Sequence, residues 1–369
     1  MESPKEENLG MEVVHFAPFA PNAAGIYEAA RDMVRADTMR GHLVTFVDVG
    51  PSLADGTQQP ARIGAVDNRG GFRLVTSPPE WADTADLVVY HTGAPDGWVA
   101  RNQAPIVWIV HGRPLACFRP EQNNSPLHSY SLYATVAAWP RVKKLVYFWP
   151  EFTPYWRVIL PEEKLAPLDW PAIDLQRFSP DGPKHVFSPQ HNGRFNALIC
   201  DSWRQDVDCY EITNGAIEAA KLIPGLKVHF YSIETAPGTN VLQTCWDLLT
   251  GGLRRLGALG ELSGRNTEID QVYRAVDFVM TPNRIVTRIT GEALASGVPV
   301  LAPHGCKVTP WTADIQDPED VGRVTARLVQ ALRDDREGVR RQCLETAQNF
   351  SLERYGEAIE RVYQEAVAV

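Results

Sequence analysis

Short apolar runs without polar alternation recur along this chain, and most are followed by a loop and a helical pattern. They are Glu12–Ala17, Leu43–Val47, Leu87–Tyr90 and Ile106–Val110, then Asn196–Cys200, Lys227–Tyr231, Phe278–Met280 and Val298–Ala302. Strands of this composition are covered on both faces, as in parallel sheets. Two successive strand and helix series predict two doubly wound α/β domains facing each other across a cleft. Ligands are expected at the carboxyl ends of the strands.

Length and charge narrow the functional classes. The chain has 369 residues, which favours two domains over a single core. It has 36 Lys and Arg residues and 45 Asp and Glu residues, which gives a net charge of −9. This charge disfavours a protein whose main function is to bind nucleic acid. No run approaches the roughly 20 apolar residues of a membrane helix. The charged N-terminus lacks the apolar core of a signal peptide, and the six scattered cysteines fit a reducing compartment, so we predict a cytoplasmic protein.

The segment from Met280 to Ala302 carries the clearest chemical signal. It reads as a strand end, a loop containing Arg284 and Arg288, a short helix with Glu292 in its first turn, a glycine cap and a strand. A helix N-terminus beside arginines favours an anion such as a diphosphate. Glu292 could accept hydrogen bonds from two ribose hydroxyls. The alternative is structural: the glutamate complements the helix dipole, and the arginines pair with surface acids.

Four ordered segments of the second half resemble the retaining, family 4-type glycosyltransferases. Glu292–Val300 (EALASGVPV) is similar to the end of that family's E-x7-E signature. Ile173–Pro180 (IDLQRFSP) resembles the linker into the donor domain, and Asp270–Pro282 the helix and strand ahead of the signature. Phe350–Tyr355 (FSLERY) resembles the start of the C-terminal helix that crosses back to the first domain.

The resemblance implies the GT-B fold, two facing Rossmann-like domains with a crossing C-terminal helix. The first domain, residues 1–175 with helix 352–369, would bind the acceptor. The second, residues 184–351, would bind a nucleotide-sugar donor. The Pro- and Trp-rich interval 139–183 is predicted to hold the connection between the domains.

The resemblance also implies donor-binding residues. Glu292 maps onto the glutamate that holds the ribose. The family's first glutamate falls on Arg284, which is a departure, and the family's cationic pair on the diphosphate is not in its usual place. We therefore expect the phosphate-binding charge to be redistributed. The predicted donor residues are Glu292, Arg204, Arg288, Arg284, Thr287, Thr290 and Gly291.

Two catalytic candidates lie in the first half. Gly25 ends a small-residue loop where the family places a glycine-rich loop against the donor, although a lone glycine is more often a structural turn. His111 follows the strand Ile106–Val110 and matches a His-Gly pair of the family near donor sugar or acceptor. His91, at another strand end, is a further candidate. Most lone histidines are structural, but the carboxyl end of a strand favours a site.

The resemblance thus implies a metal-independent glycosyltransferase with no cofactor, which moves a sugar with retention from a nucleotide sugar to a hydroxyl acceptor. Asp206 and Asp208 have the spacing of a metal motif but precede a donor-domain helix, which favours capping. Three alternatives stay open: a nucleotide-sugar epimerase or hydrolase, a non-catalytic nucleotide-sugar binding protein, and an enzyme acting on hydroxymethylated bases of viral DNA.

Three further interpretations concern local structure. His185 and His191 read as exposed loop residues. Arg141–Lys144 and Arg254–Arg255 read as solvated helix faces. Pro318–Phe350 reads as one helix with an apolar stripe, and Leu352–Val369 as a last helix with apolar positions at Tyr355, Ile359, Val362 and Ala366.

Overall fold

The apolar runs form two parallel sheets, each in its own unit of the chain. The structure is a computed structural model, which describes residues 10–17, 25–48, 71–75, 84–91, 102–111, 136–200, 209–231, 240–264, 266 and 268–368. One unit comprises Met1–Ala172 and Leu352–Val369, and the other Ile173–Ser351. Across those ranges, no helix combines the length and apolar character needed to cross a membrane.

The sheet of the first unit contains seven strands among the described residues. They are β1 (Glu12–Ala17), β2 (Leu43–Asp48), β3 (Arg73–Val75), β4 (Leu87–His91), β5 (Ile106–Val110), β6 (Val142–Phe148) and β7 (Leu165–Leu168). Their order is β3-β2-β1-β4-β5-β6-β7, and all the pairings are parallel. The central strands β4 and β5 are wholly buried, as their unbroken apolar composition predicts.

Two long helices cover one face of this sheet. The described helices of the first unit are α1 (Gly25–Met39), the short α2 (Thr153–Arg157) and, from the far end of the chain, α9 (Leu352–Val367). The predicted stripe of α9 is confirmed, since Tyr355, Ile359, Val362 and Ala366 are all buried. With Val13, Val89 and Ile109 of the sheet, they form one apolar cluster. The C-terminal helix is therefore part of the core of the first unit.

The second unit repeats the architecture. Its described strands are β8 (Phe195–Ile199), β9 (Leu226–Phe230), β10 (Leu259–Leu262), β11 (Phe278–Met280), β12 (Val300–Pro303) and β13 (Thr312–Ala313), in the order β10-β9-β8-β11-β12-β13. Its described helices are α3 (Cys209–Leu222), α4 (Asn240–Arg255), α5 (Ile269–Ala275), α6 (Arg288–Ala295), α7 (Pro318–Asp334) and α8 (Arg336–Ala347). The first and last residues of this unit, Ile173 and Ser351, pair in a parallel bridge.

Three local predictions were wrong. The helix predicted over Pro318–Phe350 is interrupted at Asp335, whose side chain caps α8 by accepting the Gly338 N–H at 2.8 Å. Val142–Lys144 begins the strand β6 rather than lying on a helix, and Lys144 Nζ pairs with Glu365 at 2.6 Å. The interval 139–183 is also not a simple connection, because β6 and β7 lie within it.

Candidate functional site

The predicted donor segment folds as strand, loop, helix and strand. β11 is buried, and Thr287 takes an extended conformation (φ −86°, ψ 173°) immediately before α6. Gly297 follows the helix with φ 72°, a left-handed conformation that glycine adopts without strain. The helix begins at Arg288, three residues earlier than predicted. Glu292 therefore lies in its second turn, and the prediction of a first-turn position was wrong.

Glu292 is a buried carboxylate, with 7% of the residue exposed. Its Oε1 accepts hydrogen bonds from Arg288, with Nη2 at 2.9 Å and Nε at 3.1 Å. Its Oε2 accepts the hydroxyl proton of Tyr273, a buried residue of α5, at 3.2 Å. These bonds fix the orientation of the carboxylate within the second unit. Sequence reasoning missed Tyr273, although it stands in a segment that carried the family resemblance.

Two hydroxyls beside Glu292 have no hydrogen-bond partner in the described structure. They are the Oγ1 atoms of Thr287 and Thr290, both inaccessible to solvent. A buried hydroxyl without a partner costs free energy, so a polar group that reached it would be bound favourably. Thr287 immediately precedes α6, and Arg288, Thr290 and Glu292 lie in its first turns.

The remaining donor candidates are placed differently. A Cβ on Gly291 would lie 3.0 Å from Ile173 Cγ1 and 3.6 Å from Phe350 Cγ, so this glycine permits close packing of α6 on the two ends of the unit. Arg284 is exposed, and its aliphatic part runs beside Gly305. Arg204, Asp206 and Asp208 lie outside the described residues. Of the three predicted phosphate-binding arginines, Arg288 contacts Glu292 and Arg284 faces solvent.

In the first unit, strand register aligns three histidines on one face of the sheet. His15 of β1 pairs with Val89, two residues before His91. His91, at the end of β4, pairs with Ile109, two residues before His111. Side chains alternate with a period of two, so all three point to the face that α1 and α9 cover. The row steps across neighbouring strands towards their carboxyl ends.

These histidines form a continuous hydrogen-bonded row. His15 Nδ1 lies 2.9 Å from His91 Nε2, and His91 Nδ1 lies 2.9 Å from His111 Nε2. At the inner end, His15 Nε2 lies 2.7 Å from Asp37 Oδ2 of α1. Tyr363 of α9 donates its hydroxyl proton to the same oxygen at 2.9 Å. The row connects a buried carboxylate to the carboxyl end of the sheet.

Burial decreases along the row. His15 and Asp37 are 0% exposed and His91 is 1% exposed, whereas His111 is half-buried. Burial, followed by the neighbouring His111 and His15, holds the pKa of His91 well below its usual 6.5, so this ring is neutral at physiological pH. The structure thus joins the predicted His111 and His91 to His15 and Asp37, which sequence reasoning missed. Gly25, the other candidate, is the first residue of α1.

His185 and His191 are half-buried and hydrogen-bonded, so their prediction as exposed loop residues was wrong. His185 Nε2 lies 3.0 Å from Glu261 Oε2, which also accepts the Tyr231 hydroxyl proton at 2.7 Å. Burial raises the pKa of the Glu261 carboxyl, but hydrogen bonds from Tyr231, His185 and the Ser188 N–H bring it below its usual value. These contacts tie the start of the second unit to β10.

No protein-family model matches the sequence, and no curated protein matches it either. Solved structures match it along nearly its whole length. The catalytic domain of starch synthase IV from Arabidopsis thaliana, bound to ADP and acarbose, matches with TM-score 0.68 and 12% identity, covering 98% of this chain and 100% of that chain. HepE from Anabaena with UDP-glucose matches with TM-score 0.64 and 12% identity, covering 96% and 99%.

A third structure is an α-glucosyltransferase in complex with UDP and a DNA 13-mer containing an HMU base. It matches with TM-score 0.62 and 10% identity, covering 97% of this chain and 99% of that chain. The chain has the GT-B fold. Similarity at this level of identity establishes the architecture of the GT-B chain.

Proposed function

We propose that this chain is a glycosyltransferase that moves a sugar from a nucleoside-diphosphate sugar to a hydroxyl acceptor. The observation that carries the proposal is the buried Glu292 carboxylate, oriented by Arg288 and Tyr273 within a GT-B fold. Neighbours of the same fold hold UDP-glucose or ADP. A rigid buried carboxylate suits recognition of a ribose hydroxyl in a fixed geometry.

The donor diphosphate would lie at the start of α6. The helix N-terminus supplies N–H groups and positive potential, and Thr287 and Thr290 supply buried hydroxyls without hydrogen-bond partners in the described structure. Arg284, Arg288 and Arg204 would supply positive charge. Gly291 would allow α6 to pack closely against Ile173 and Phe350. Fixed cations and dipoles of this kind stabilise a leaving diphosphate, so we propose catalysis independent of a metal ion.

The acceptor would be activated in the first unit. His111 stands at the carboxyl end of β5, and Gly25 begins α1 at the place where the resembling family approaches its donor. The proposal includes retention at the anomeric carbon, as in that family. Determining the anomeric configuration of the product by NMR tests this part independently of the rest.

Ligand-induced stabilisation tests the donor site. UDP-, GDP- and ADP-sugars are each added at millimolar concentration, and the melting temperature is recorded for the wild type and for Glu292→Gln. A donor at 100 times its dissociation constant stabilises the protein by about 2.7 kcal/mol. We expect the sugar of one of these three nucleotides to raise the melting temperature of the wild type, and to raise that of Glu292→Gln far less. No shift with any of the three would overturn the donor assignment.

Turnover assays separate transfer from the other reactions of such a site. The stabilising donor is incubated with EDTA, with and without a panel of sugar and lipid acceptors. Transfer to an acceptor supports the proposal, release of free sugar without one favours a hydrolase, and binding without turnover favours a binding protein. The structural match to an enzyme solved with modified DNA adds one acceptor to the panel, an oligonucleotide containing a hydroxymethylated pyrimidine.

A further inference from the structure

The row of histidines in the first unit has a defined polarity. A carboxylate oxygen only accepts hydrogen bonds, so with Asp37 ionised the Nε2 of His15 carries a proton. A neutral imidazole carries one proton, so Nδ1 of His15 is an acceptor and Nε2 of His91 donates to it. By the same step, Nδ1 of His91 accepts from Nε2 of His111. On the same reasoning, the Nδ1 of His111 carries no proton.

The composition of the row argues for a role beyond packing. Three imidazoles and a carboxylate lie beside a cluster of apolar sheet and helix residues, and burying such polar groups disfavours folding. The second carboxylate oxygen, Asp37 Oδ1, is buried without a hydrogen bond from any described residue. The buried Tyr355 hydroxyl likewise has no partner in the described ranges. A set of groups kept in this state suits a site that takes up a proton.

We propose that Asp37, His15 and His91 are positioning residues that set the tautomer of His111 and carry its proton inward. This rests on the proposed function. The acceptor hydroxyl loses its proton to His111 Nδ1 while its oxygen bonds to the anomeric carbon. The bond from that carbon to the diphosphate breaks on the same face, as retention requires, and its electron pair leaves with the nucleotide. His111 passes its Nε2 proton to His91, His91 passes its own to His15, and His15 protonates Asp37.

The transfer conserves charge within the row. Before the step Asp37 is anionic and three rings are neutral, and afterwards Asp37 is neutral and the rings have exchanged tautomers. No cation is left in the buried part of the row, which suits the low pKa of His91. When product leaves, His111 returns a proton to water and the sequence of transfers reverses. Asp37 acts here through His111 and has no need to contact substrate.

Nitrogen NMR of histidine-labelled wild-type protein tests the polarity without any substrate. The expected result is a proton on Nε2 and none on Nδ1 for His15, His91 and His111. His42 is an internal reference, because its Nδ1 accepts the Met11 N–H at 3.2 Å and its Nε2 lies 2.8 Å from Glu360. A proton on Nδ1 of any of the three row histidines would overturn the proposal.

Kinetics test the role, using the nucleotide sugar that stabilises the protein most. Asp37→Asn and His91→Phe should each lower kcat roughly 100-fold, the usual contribution of a general base, and leave donor Kd unchanged. His42→Asn is the matched control, since it alters a buried histidine with its own carboxylate, and its kcat should stay at the wild-type value. The double variant His91→Phe/His111→Ala should be no slower than His111→Ala.

Two kinetic results would contradict proton transfer along the row. One is a wild-type kcat in both Asp37→Asn and His91→Phe. The other is a loss of kcat in His91→Phe that adds to the loss in His111→Ala. If His91→Phe does not fold, His91→Gln takes its place. A wild type that turns over no donor would count against the proposed function. The tautomers measured by NMR would still decide the polarity of the row.

Discussion

Arg288 and Glu292 stand one helical turn apart on α6, and two guanidinium nitrogens contact the same carboxylate oxygen at 2.9 and 3.1 Å. This pair is nearly buried, so neither side chain is exchangeable for a neutral one without leaving a charge uncompensated. Two tasks of Arg288 therefore have to be distinguished: the diphosphate contact that the sequence predicts, and the observed contact with the carboxylate that is predicted to bind the ribose.

The two tasks separate in binding measurements with nucleotide fragments. Glu292→Gln should weaken uridine and UDP alike, by roughly tenfold, because it alters the ribose contact that both share. Arg288→Ala should weaken UDP more than uridine, because only UDP carries phosphate charge. Calorimetric titration gives the dissociation constants of uridine and of UDP for each variant and for the wild type. If a nucleotide sugar with another base stabilises the protein, the nucleoside and nucleoside diphosphate of that base are used instead. An equal loss of UDP and uridine in Arg288→Ala would restrict this arginine to orienting Glu292.

Arg284 replaces the first glutamate of the resembling family, and it is exposed. Arg284→Ala should therefore leave the melting temperature unchanged and weaken the donor roughly tenfold through lost phosphate attraction. Arg323→Ala is the control, since Arg323 is an exposed arginine of α7 that pairs with Asp317 and Asp320. This control should change neither the free energy of unfolding nor the free energy of donor binding by more than a few tenths of a kcal/mol. Equal donor affinity in both variants would remove Arg284 from the site.

Two helical glycines should respond to alanine with opposite signs. A Cβ on Gly215 of α3 would lie 2.3 Å from Val321 Cγ1 of α7, whereas a Cβ on Gly251 of α4 would meet Arg255 Nη1 at 3.6 Å. Gly215→Ala should lower the free energy of unfolding by roughly 1–3 kcal/mol, because α3 and α7 must separate. Gly251→Ala should raise it by about 0.5–1 kcal/mol through helix propensity. Urea denaturation of both variants checks the pair, and a stabilised Gly215→Ala would refute the close approach.

Acid should destabilise the second unit through His229. Its Nδ1 accepts the Glu261 N–H at 3.1 Å and its Nε2 lies 3.1 Å from Asn196 Oδ1, so the ring is bound in its neutral form. Burial lowers its pKa to about 3, although the nearby Glu261 carboxylate acts in the opposite direction. Between pH 6.5 and 3 the unfolded chain binds the extra proton. Stability is therefore complete above pH 6.5 and falls below it by up to about 1.4 kcal/mol per pH unit.

His229→Gln isolates this contribution, because glutamine keeps an acceptor and a donor but does not titrate. The unfolding free energy is measured by urea denaturation at pH 7.5 and at pH 5.0. Between these two pH values it should fall by about 2 kcal/mol more for the wild type than for the variant. The buried His91 is present in both proteins and cancels in the comparison. Parallel slopes would contradict the assigned pKa.

The architecture was predictable because a strand that is buried on both faces consists of an unbroken run of apolar residues. β4 and β5 are unbroken apolar runs, and their composition alone indicates central parallel strands. The strands β3 and β13 were missed, since two or three residues carry no periodic signal. The strand β6 was missed because Lys143 and Lys144 interrupt its apolar pattern.

The candidate site divides in the same way. Glu292 was predicted because its neighbours in sequence form a recognisable segment, and its environment is largely a single helix. His15 and Asp37 could not be found from sequence, since their role depends on strand register and on the packing of α1 beneath Tyr363. A histidine inside an apolar strand is the signal that was available. Its significance appears only when the register of the neighbouring strands is known.

The position of α9 in the chain sets an order for synthesis. This helix completes the core of the first unit and donates the Tyr363 hydroxyl to Asp37, yet it follows the entire second unit in sequence. A nascent chain can therefore finish the second unit while the first unit still exposes the apolar face that α9 will cover. The ribosome must release residues 352–367 before the carboxylate of Asp37 gains its phenol partner, so a chain halted before that point would lack a finished first unit.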